Sequence, residues 1–330
     1  MRTLYISQQG CYISLQQEQI LIKQGQTLLD QVQIPLLEQI LIFGKSQVTT
    51  QVIRTCLQRD IPIGYLSRMG YCYGRLIPIE RGYRQLSRYQ QQLSMLEKLL
   101  IARQIVRAKL KNSRTILQRQ QRRKPSDLIT NAVINLEYLI ERAFQVDAID
   151  RLMGIEGAGA AAYFAALSDC FSGSEFVFTT RSRRPPGNPI NAMLSFGYQV
   201  LWNHLLTLIE LQGLDPYYAC LHQSSERHAA LASDLIEEFR APIVDSLVLY
   251  LINRGTMDAR QDFEYRDGGC FLNDPGRKKY LKAFLQRMEE MVQSDSGVQE
   301  PRWDILMQQV RAYKRCVYDP SLGYQPYLIR

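Results

Sequence analysis

The chain has 330 residues, 46% hydrophobic and 22% charged, with a net charge of +8 and a pI of about 9.1. This composition excludes a disordered or fibrous chain and sets a prior of about two globular domains. No stretch approaches the roughly 20 consecutive apolar residues of a membrane span, and "MRTLYISQQG" lacks the apolar run and small-residue cleavage site of a signal peptide, so the cytoplasm is the expected location.

The first 80 residues read as β. "RTLYISQ" (2–8), "CYISL" (11–15), "QILIK" (19–23), "QILIFGK" (39–45), "IPIGYLS" (61–67) and "YCYGRLIP" (71–78) are short alternating runs separated by Gln- and Gly-containing turns. One helix interrupts them at 49–60, where Val52, Ile53 and Cys56 recur at helical spacing and Thr49 or Thr50 supplies a cap. From about Glu80 the texture becomes helical. Residues 82–123 contain no proline and a single glycine, predicting one long helix or a helix pair. Further helical patterns follow near 127–152, 157–169, 189–212, 229–252, 276–294 and 301–315, and the stretches 181–189 and 254–269 read as loops. The expected fold is α+β, a small N-terminal β-sandwich-like domain (1–80) followed by a larger all-α domain (81–330), with the boundary near 79–85. The seven cysteines form no C-x-x-C pair and are expected to be buried thiols in a reducing compartment.

Charge is unevenly spread. Arg103, Arg107, Lys109, Lys111, Arg114, Arg119, Arg122, Arg123 and Lys124 are nine cations with no acid among them, so nearly the whole excess of +8 lies in one segment. Such a run is either a solvated helix face or a stripe tracking a phosphate backbone. The loop "RSRRPPGNP" adds Arg181, Arg183 and Arg184 ahead of a stiff Pro-Pro, suited to multi-donor phosphate recognition or to a neighbouring acidic face.

Two stretches concentrate the other polar chemistry. In "RLMGIEGAGAAAYF" (151–164), Glu156 stands among small and apolar residues. Burying a carboxylate is costly unless it is paired or metal-bound, although an early-turn helix position also favours an acid. In "LHQSSERHAALASDLIEEFR" (221–240), a helix would place Ala232, Ile236, Phe239 and Ile243 inward and gather Asp234, Glu237 and Glu238 on the opposite side. That arrangement fits a solvated acidic face, and equally fits oxygen ligands which, with His222 just upstream, would hold Mg²⁺ or Mn²⁺. His228 is expected at the surface, His204 packed or capping within a helix, and Asp245 in a structural role.

The order "GIEGAGAAAYF", "RRPPGNPINAMLSFGYQVL", "GLDPYYACLHQ", "LASDLIEEFRAPIVD", "GGCFLNDPGRKKYLKAF", spread over 151–284, resembles the CRISPR-associated endonuclease and integrase family of spacer acquisition. The resemblance implies a β domain that forms a homodimer and a helical catalytic domain. It also implies a smaller CRISPR-associated partner, itself a dimer, bridging two such dimers. It implies a Mg²⁺ or Mn²⁺ site in which Glu156, His222 and Glu237 are the ligands and Asp234 assists; because some members carry Asp where this chain has Glu237, the choice between Glu237 and Asp234 stays open. Ala219-Cys220 replaces the usual Gly-Phe before Leu-His. The implied reaction is insertion of short duplex DNA into a CRISPR repeat by 3′-hydroxyl attack on a phosphodiester. Arg103 to Lys124 (Arg103, Arg107, Lys109 and Lys111 foremost), Arg181, Arg183, Arg184, Arg277, Lys278 and Lys279 would hold phosphates. A non-catalytic nucleic-acid-binding scaffold and a general branched-DNA repair nuclease are the competing readings.

Overall fold

The computed structural model describes residues 3–68, 72–78, 85–171, 175–223, 225, 228–293 and 297–329. Two units result: Met1–Tyr83 with Leu272–Lys282, and Arg84–Phe271 with Ala283–Arg330. The boundary expected near 79–85 lies almost wholly outside the described residues. The segment 272–282, expected in the helical domain, groups with the β-rich unit.

The β-rich unit holds β1 (Thr3–Ile6), β2 (Cys11–Gln16), β3 (Gln19–Gln24), β4 (Thr27–Gln33), β5 (Gln39–Phe43), β6 (Ser46–Val48), α1 (Thr50–Gln58), β7 (Ile63–Leu66) and β8 (Cys72–Leu76). One sheet has the order β1-β5-β7-β8 and the other β4-β3-β2-β6. Parallel pairing joins β1 to β5 and β5 to β7, and an antiparallel pair closes that sheet at β8. Ile6, Ile40, Ile42 and Ile63 from the first sheet share one core with Ile13, Ile20 and Ile22 from the second and with Val52 and Cys56 of α1. Alternate residues of a strand face one side, so each sheet contributes one apolar face. Thr49 caps α1 by accepting from the Val52 amide at 3.4 Å. Strand β4 was not expected. It is an edge strand with no buried residue, and its Leu28 and Leu29 are 48% and 44% exposed, so it lacks the alternation that marks a half-buried strand.

The helical unit begins with α2 (Gln85–Gln92) and α3 (Met95–Gln121), which divide the helical stretch expected over 82–123. The division is chemical. Ser94 Oγ accepts from the Glu97 amide at 3.2 Å while the Glu97 carboxylate accepts from the Ser94 amide at 2.7 Å, a reciprocal cap that starts a new helix. Next come α4 (Asp127–Gln145) and α5 (Ile149–Leu167), both packed on α3. Gly159 permits the close approach of α5 to α3, because a β-carbon there would collide with the buried Leu110 side chain. α6 (Pro189–Leu211) starts where proline stiffness predicts, with Asn188 accepting from the Asn191 amide at 2.9 Å. His204 is fully buried between Phe284 and Trp303, and burial holds its pKa down at about 3, so it is a neutral packed side chain.

The helix expected over 229–252 is three pieces: α7 (Ala230–Ile236), a π-helical turn over Arg240–Asp245, and α8 (Ser246–Asn253). Pro242 sits in the wide turn, where it cannot donate a backbone hydrogen bond. Within 254–269, expected as loop, β9 (Phe263–Arg266) pairs with β10 (Gly269–Leu272) across a turn whose Asp267 and Gly268 have φ of 49° and 71°. α9 (Asp274–Glu289), the pair β11 (Met291–Gln293) and β12 (Gln299–Pro301), and α10 (Arg302–Tyr318) complete the chain. Among the described residues no helix is long and apolar enough to cross a membrane.

Candidate metal centre

Helices α3, α5 and α7 and the loop before α7 meet at one polar cluster inside the helical unit. Glu156 lies in the middle of α5, which starts at Ile149, so proximity to a helix N-terminus does not account for it. Asp234, Glu237 and Glu238 are 0%, 2% and 0% exposed, which overturns the solvated acidic face. All seven residues of α7 are buried, so this helix has no polar side to give to water.

Each buried acid meets hydrogen-bond donors or a cation, as burial of charge requires. Asp234 Oδ2 accepts the backbone amides of Cys220 (2.7 Å) and Leu221 (2.9 Å), and its Oδ1 accepts the His222 amide (2.9 Å) and faces the His222 Nδ1 (2.8 Å). Because an ionised carboxylate can only accept, Nδ1 carries the proton and the imidazole presents Nε2 as its free nitrogen. That Nε2 lies 3.9 Å from Glu237 Oε1. Burial opposes charge on His222, but hydrogen bonding to Asp234 and the charges of Asp234 and Glu237 outweigh it, and its pKa is held above the ordinary value. The loop carrying His222 is pinned from behind: Gln90 accepts from the Asp215 amide at 2.8 Å and donates to the Asp215 carbonyl at 3.0 Å. Cys220, in the Ala-Cys pair that departs from Gly-Phe, is buried with its Sγ 3.5 Å from Tyr313 Oη and its amide committed to Asp234.

Glu237 divides its two oxygens between cations. Oε1 is 3.1 Å from Arg240 Nη1, and Oε2 is 2.6 Å from Lys109 Nζ. The same Lys109 ammonium also pairs with Glu156 Oε1. Burial alone would raise the Glu237 pKa, yet the charges of Arg240, Lys109 and His222 bring it well below the carboxylate norm. Glu238, next in sequence, points elsewhere: it accepts from Tyr324 Oη and from the Tyr327 amide at 2.7 Å, and burial pushes its pKa up to about 8.

Two carboxylates on one cation, with an imidazole nitrogen alongside, are the hard-donor set that suits Mg²⁺ or Mn²⁺. Among the described residues no three His, Cys, Asp or Glu side chains are already disposed as ligands. The point where Glu156 and Glu237 converge holds the ammonium of Lys109 instead. The donor chemistry therefore fits a divalent cation at Glu156, His222 and Glu237. Asp234 is buried and holds the His222 ring from its Nδ1 side.

Several cations expected on phosphate are engaged within the fold. Arg103 donates through Nε to the Val146 carbonyl at 2.8 Å, and Arg107 lies 3.8 Å over the Phe144 ring. Lys109 is 8% exposed and belongs to the cluster just described. Lys111 is partly buried, which lowers its pKa. Arg181 donates to Asn191 Oδ1 (2.9 Å) and Ser195 Oγ (3.0 Å), and Arg277 is fully buried against the Leu272 carbonyl (2.6 Å) and Asp274. Burial takes Arg277 and Lys109 away from a surface duplex, whereas Arg103, Arg107 and Arg181 are half-buried. Arg119, Arg122, Arg123, Lys124, Arg183, Arg184, Lys278 and Lys279 are the exposed cations of the expected set. His228, expected at the surface, is half-buried, stacked 6.3 Å from Trp202 with Nε2 3.0 Å from Ser233 Oγ.

A second buried group backs the cluster, and it was not singled out as functional from sequence. Asp245 accepts from Tyr163 Oη at 2.9 Å and from Tyr198 Oη, while Arg240 lies 5.1 Å over the Tyr198 ring. Burial raises the Asp245 pKa to about 6, and the two hydroxyls together with Arg181 and Arg240 restrain the rise. A carboxyl whose folded pKa is raised favours folding when protonated, so its contribution is complete below about pH 4 and is lost as pH rises through about 6. Tyr198→Phe removes a donor to the ionised form and pushes that pKa higher still. The variant is expected to melt close to wild type at pH 5 and roughly 4–8 °C below it at pH 8, from about 2 kcal/mol of lost charged hydrogen bonding. Equal offsets at the two pH values would contradict this account of Asp245.

The sequence profile of the family described as CRISPR associated protein Cas1 matches residues 4–286. A CRISPR-associated exonuclease Cas4/endonuclease Cas1 fusion of Geobacter sulfurreducens is 33% identical over 88% of this chain, which spans only 53% of that longer protein. CRISPR-associated endonuclease Cas1 1 of Methanospirillum hungatei is 31% identical over 89% of this chain and 87% of its own length. A solved structure of a casposase bound to integration product superposes over 100% of this chain and 95% of its own with a TM-score of 0.85 at 24% identity, a likeness of fold. With the profile covering most of the chain and both units of the fold present, this protein belongs to the Cas1 family of CRISPR associated proteins.

Proposed function

We propose that this chain is a divalent-cation-dependent DNA endonuclease and integrase that inserts short duplex DNA into a CRISPR repeat. The observation that carries the reading is the convergence of Glu156 and Glu237 on one cation beside the Nε2 of a His222 oriented by Asp234. Mg²⁺ or Mn²⁺ held by Glu156, His222 and Glu237 supplies Lewis acidity at the scissile phosphate when bound.

The chain's own residues do the rest. Asp234 fixes the tautomer and direction of His222, so that in the neutral ring Nε2 is the nitrogen left for coordination. Arg240 holds Glu237 Oε1 at 3.1 Å, which fixes the carboxylate and leaves Oε2 to face Glu156. The reaction is an exchange of phosphodiesters: a 3′-hydroxyl oxygen bonds to phosphorus, the bond from phosphorus to a repeat 3′-oxygen breaks, and that oxygen leaves with a proton. Water as the nucleophile gives hydrolysis at the same site. Neither route needs a covalent enzyme intermediate.

Duplex DNA and a second copy of the chain are the proposed partners, together with a dimer of a smaller CRISPR-associated protein. Exposed Arg119, Arg122, Arg123 and Lys124 at the end of α3, and Arg183 and Arg184 on the loop before α6, support phosphate contact. Exposed Leu28, Leu29 and Leu36 in the β-rich unit support self-association, because β4 is an unpaired edge carrying apolar side chains.

The test is transfer of a labelled short duplex into a supercoiled plasmid bearing a CRISPR repeat, with the smaller partner and Mn²⁺ or Mg²⁺. Wild type is expected to join the strands, and EDTA or Glu156→Ala is expected to lower the rate by at least about 1000-fold while DNA binding persists. Wild-type protein that binds DNA but neither joins nor cuts it with either metal would leave a non-catalytic scaffold.

A further inference from the structure

Lys109 was expected to lie against DNA. In the structure it is 8% exposed, and its ammonium contacts Glu237 Oε2 at 2.6 Å and Glu156 Oε1. The placement follows from the packing of α3 on α5. Gly159 lies three residues after Glu156, Leu110 directly follows Lys109, and only a glycine lets these two stretches of helix approach so closely. The four-carbon stem of Lys109 lies in this interface and delivers its charge to the two carboxylates.

Two carboxylates brought together in a poorly solvated place repel one another and demand a cation. Arg240 meets that demand at Glu237 Oε1 only. The inward oxygens, Glu237 Oε2 and Glu156 Oε1, are both neutralised by Lys109. An ion bound by the same two oxygens would have to occupy the position of the ammonium, and a unit positive charge left beside it would repel it.

Building on the metal-dependent reading above, we propose that Lys109 is a resident competing cation: it neutralises Glu156 and Glu237 when no metal is bound and must withdraw for a divalent cation to enter. An adjoining cavity of about 20 Å³, lined by Lys109, Ser113, Tyr198, Arg240 and Asp245, has space for about one water-sized group, which is the size of an ammonium. Lys109 thereby weakens the affinity of the site for metal and keeps its carboxylates in register until metal arrives. It is a positioning residue, not a ligand.

The test uses the full chain, stripped with EDTA and titrated with Mn²⁺, reading free Mn²⁺ by its EPR signal and melting temperature in parallel. Lys109→Met removes the competing charge and is expected to tighten Mn²⁺ binding by at least roughly tenfold. In EDTA the same variant is expected to melt below wild type, and saturating Mn²⁺ is expected to raise its melting temperature by more than it raises that of wild type. Lys109→Gln, neutral but still hydrogen-bonding, must move affinity in the same direction and serves if the Met variant does not fold without metal. Lys109→Arg, which keeps the charge, must stay near wild type. Mn²⁺ affinity that is unchanged or weaker in both neutral variants, with wild type binding normally, overturns the role of Lys109 alone. Folded wild type and neutral variants that all fail to bind Mn²⁺ overturn the metal reading and this inference together.

Discussion

Asp234→Asn is expected to cost both stability and activity, more heavily than its near-identical shape suggests. In the native protein one carboxylate accepts three consecutive backbone amides, of Cys220, Leu221 and His222, and faces the His222 Nδ1. An asparagine must turn an NH₂ group toward donors on one side or the other. If it faces Cys220 and Leu221, two buried amides lose their acceptor; if it faces His222, the ring is free to take the wrong tautomer. Each buried donor left without a partner costs about 1–3 kcal/mol, and the site is 0% exposed, so water offers no relief. A fall in melting temperature of about 5–10 °C follows. On the proposed function, strand transfer falls by roughly 10- to 100-fold even in the folded fraction, because an imidazole that has lost its orienting carboxylate is a poorer ligand. The measurement is strand transfer at a temperature well below the variant's transition, with circular dichroism to verify folding. Wild-type rates in a folded Asp234→Asn protein would remove Asp234 from any role in orienting His222.

Asn112→Leu is expected to be the most damaging substitution away from the candidate metal centre. Asn112 is 1% exposed on α3 and donates to the Glu238 carbonyl (2.8 Å) and the Tyr327 carbonyl (2.9 Å), while accepting from the Ile329 amide (3.0 Å). It ties the C-terminal strand of chain to the turn that follows Glu237. Glu238 completes the tie from the other side through Tyr324 and the Tyr327 amide. Leucine matches the volume but offers no donor or acceptor, so several buried backbone groups lose their partners together. The expected loss is about 3–5 kcal/mol, a drop in melting temperature on the order of 10 °C. Limited proteolysis is expected to cleave the last residues first in the variant and not in wild type. A variant that melts within two or so degrees of wild type would show that the C-terminal segment is held by its apolar contacts alone.

The helix α1 with its Thr49 cap, the start of α6 after Pro-Gly-Asn, and six of the strands were legible because each depends on local spacing and local chemistry. The break at Ser94 was also written locally, in Ser-Met-Leu-Glu, but an uninterrupted helical pattern on both sides concealed it. The β9–β10 hairpin carried an Asp-Gly turn between alternating residues, a strong hairpin signal lost inside a stretch dense in loop-forming residues. Strand β4 had no such signal, since neither of its faces is buried.

The candidate site divides along the same line. Glu156, His222, Asp234 and Glu237 were marked by residue type and order. The choice between Glu237 and Asp234 as ligand stayed open, because it depends on which backbone amides Asp234 reaches across the loop. Lys109 was misplaced for the same reason: within a run of nine cations nothing local distinguishes the one that faces two carboxylates from those that face solvent or a ring. Only the approach of α3 to α5 at Gly159 and Leu110 does so. The acidic residues of 234–238 fitted a solvated helix face as well as a ligand set, because periodicity records where apolar residues point. It does not record that every acid has a buried partner.

On the proposed function, Glu156, His222 and Glu237 together hold a divalent cation. Anomalous scattering from crystals soaked in Mn²⁺ tests it most directly. One strong peak is expected within coordination distance, roughly 2.0–2.3 Å, of a carboxylate oxygen from each glutamate and of His222 Nε2, with the Lys109 ammonium moved off that point. Crystals that bind no Mn²⁺ there, with Lys109 still bridging the two glutamates, would contradict it.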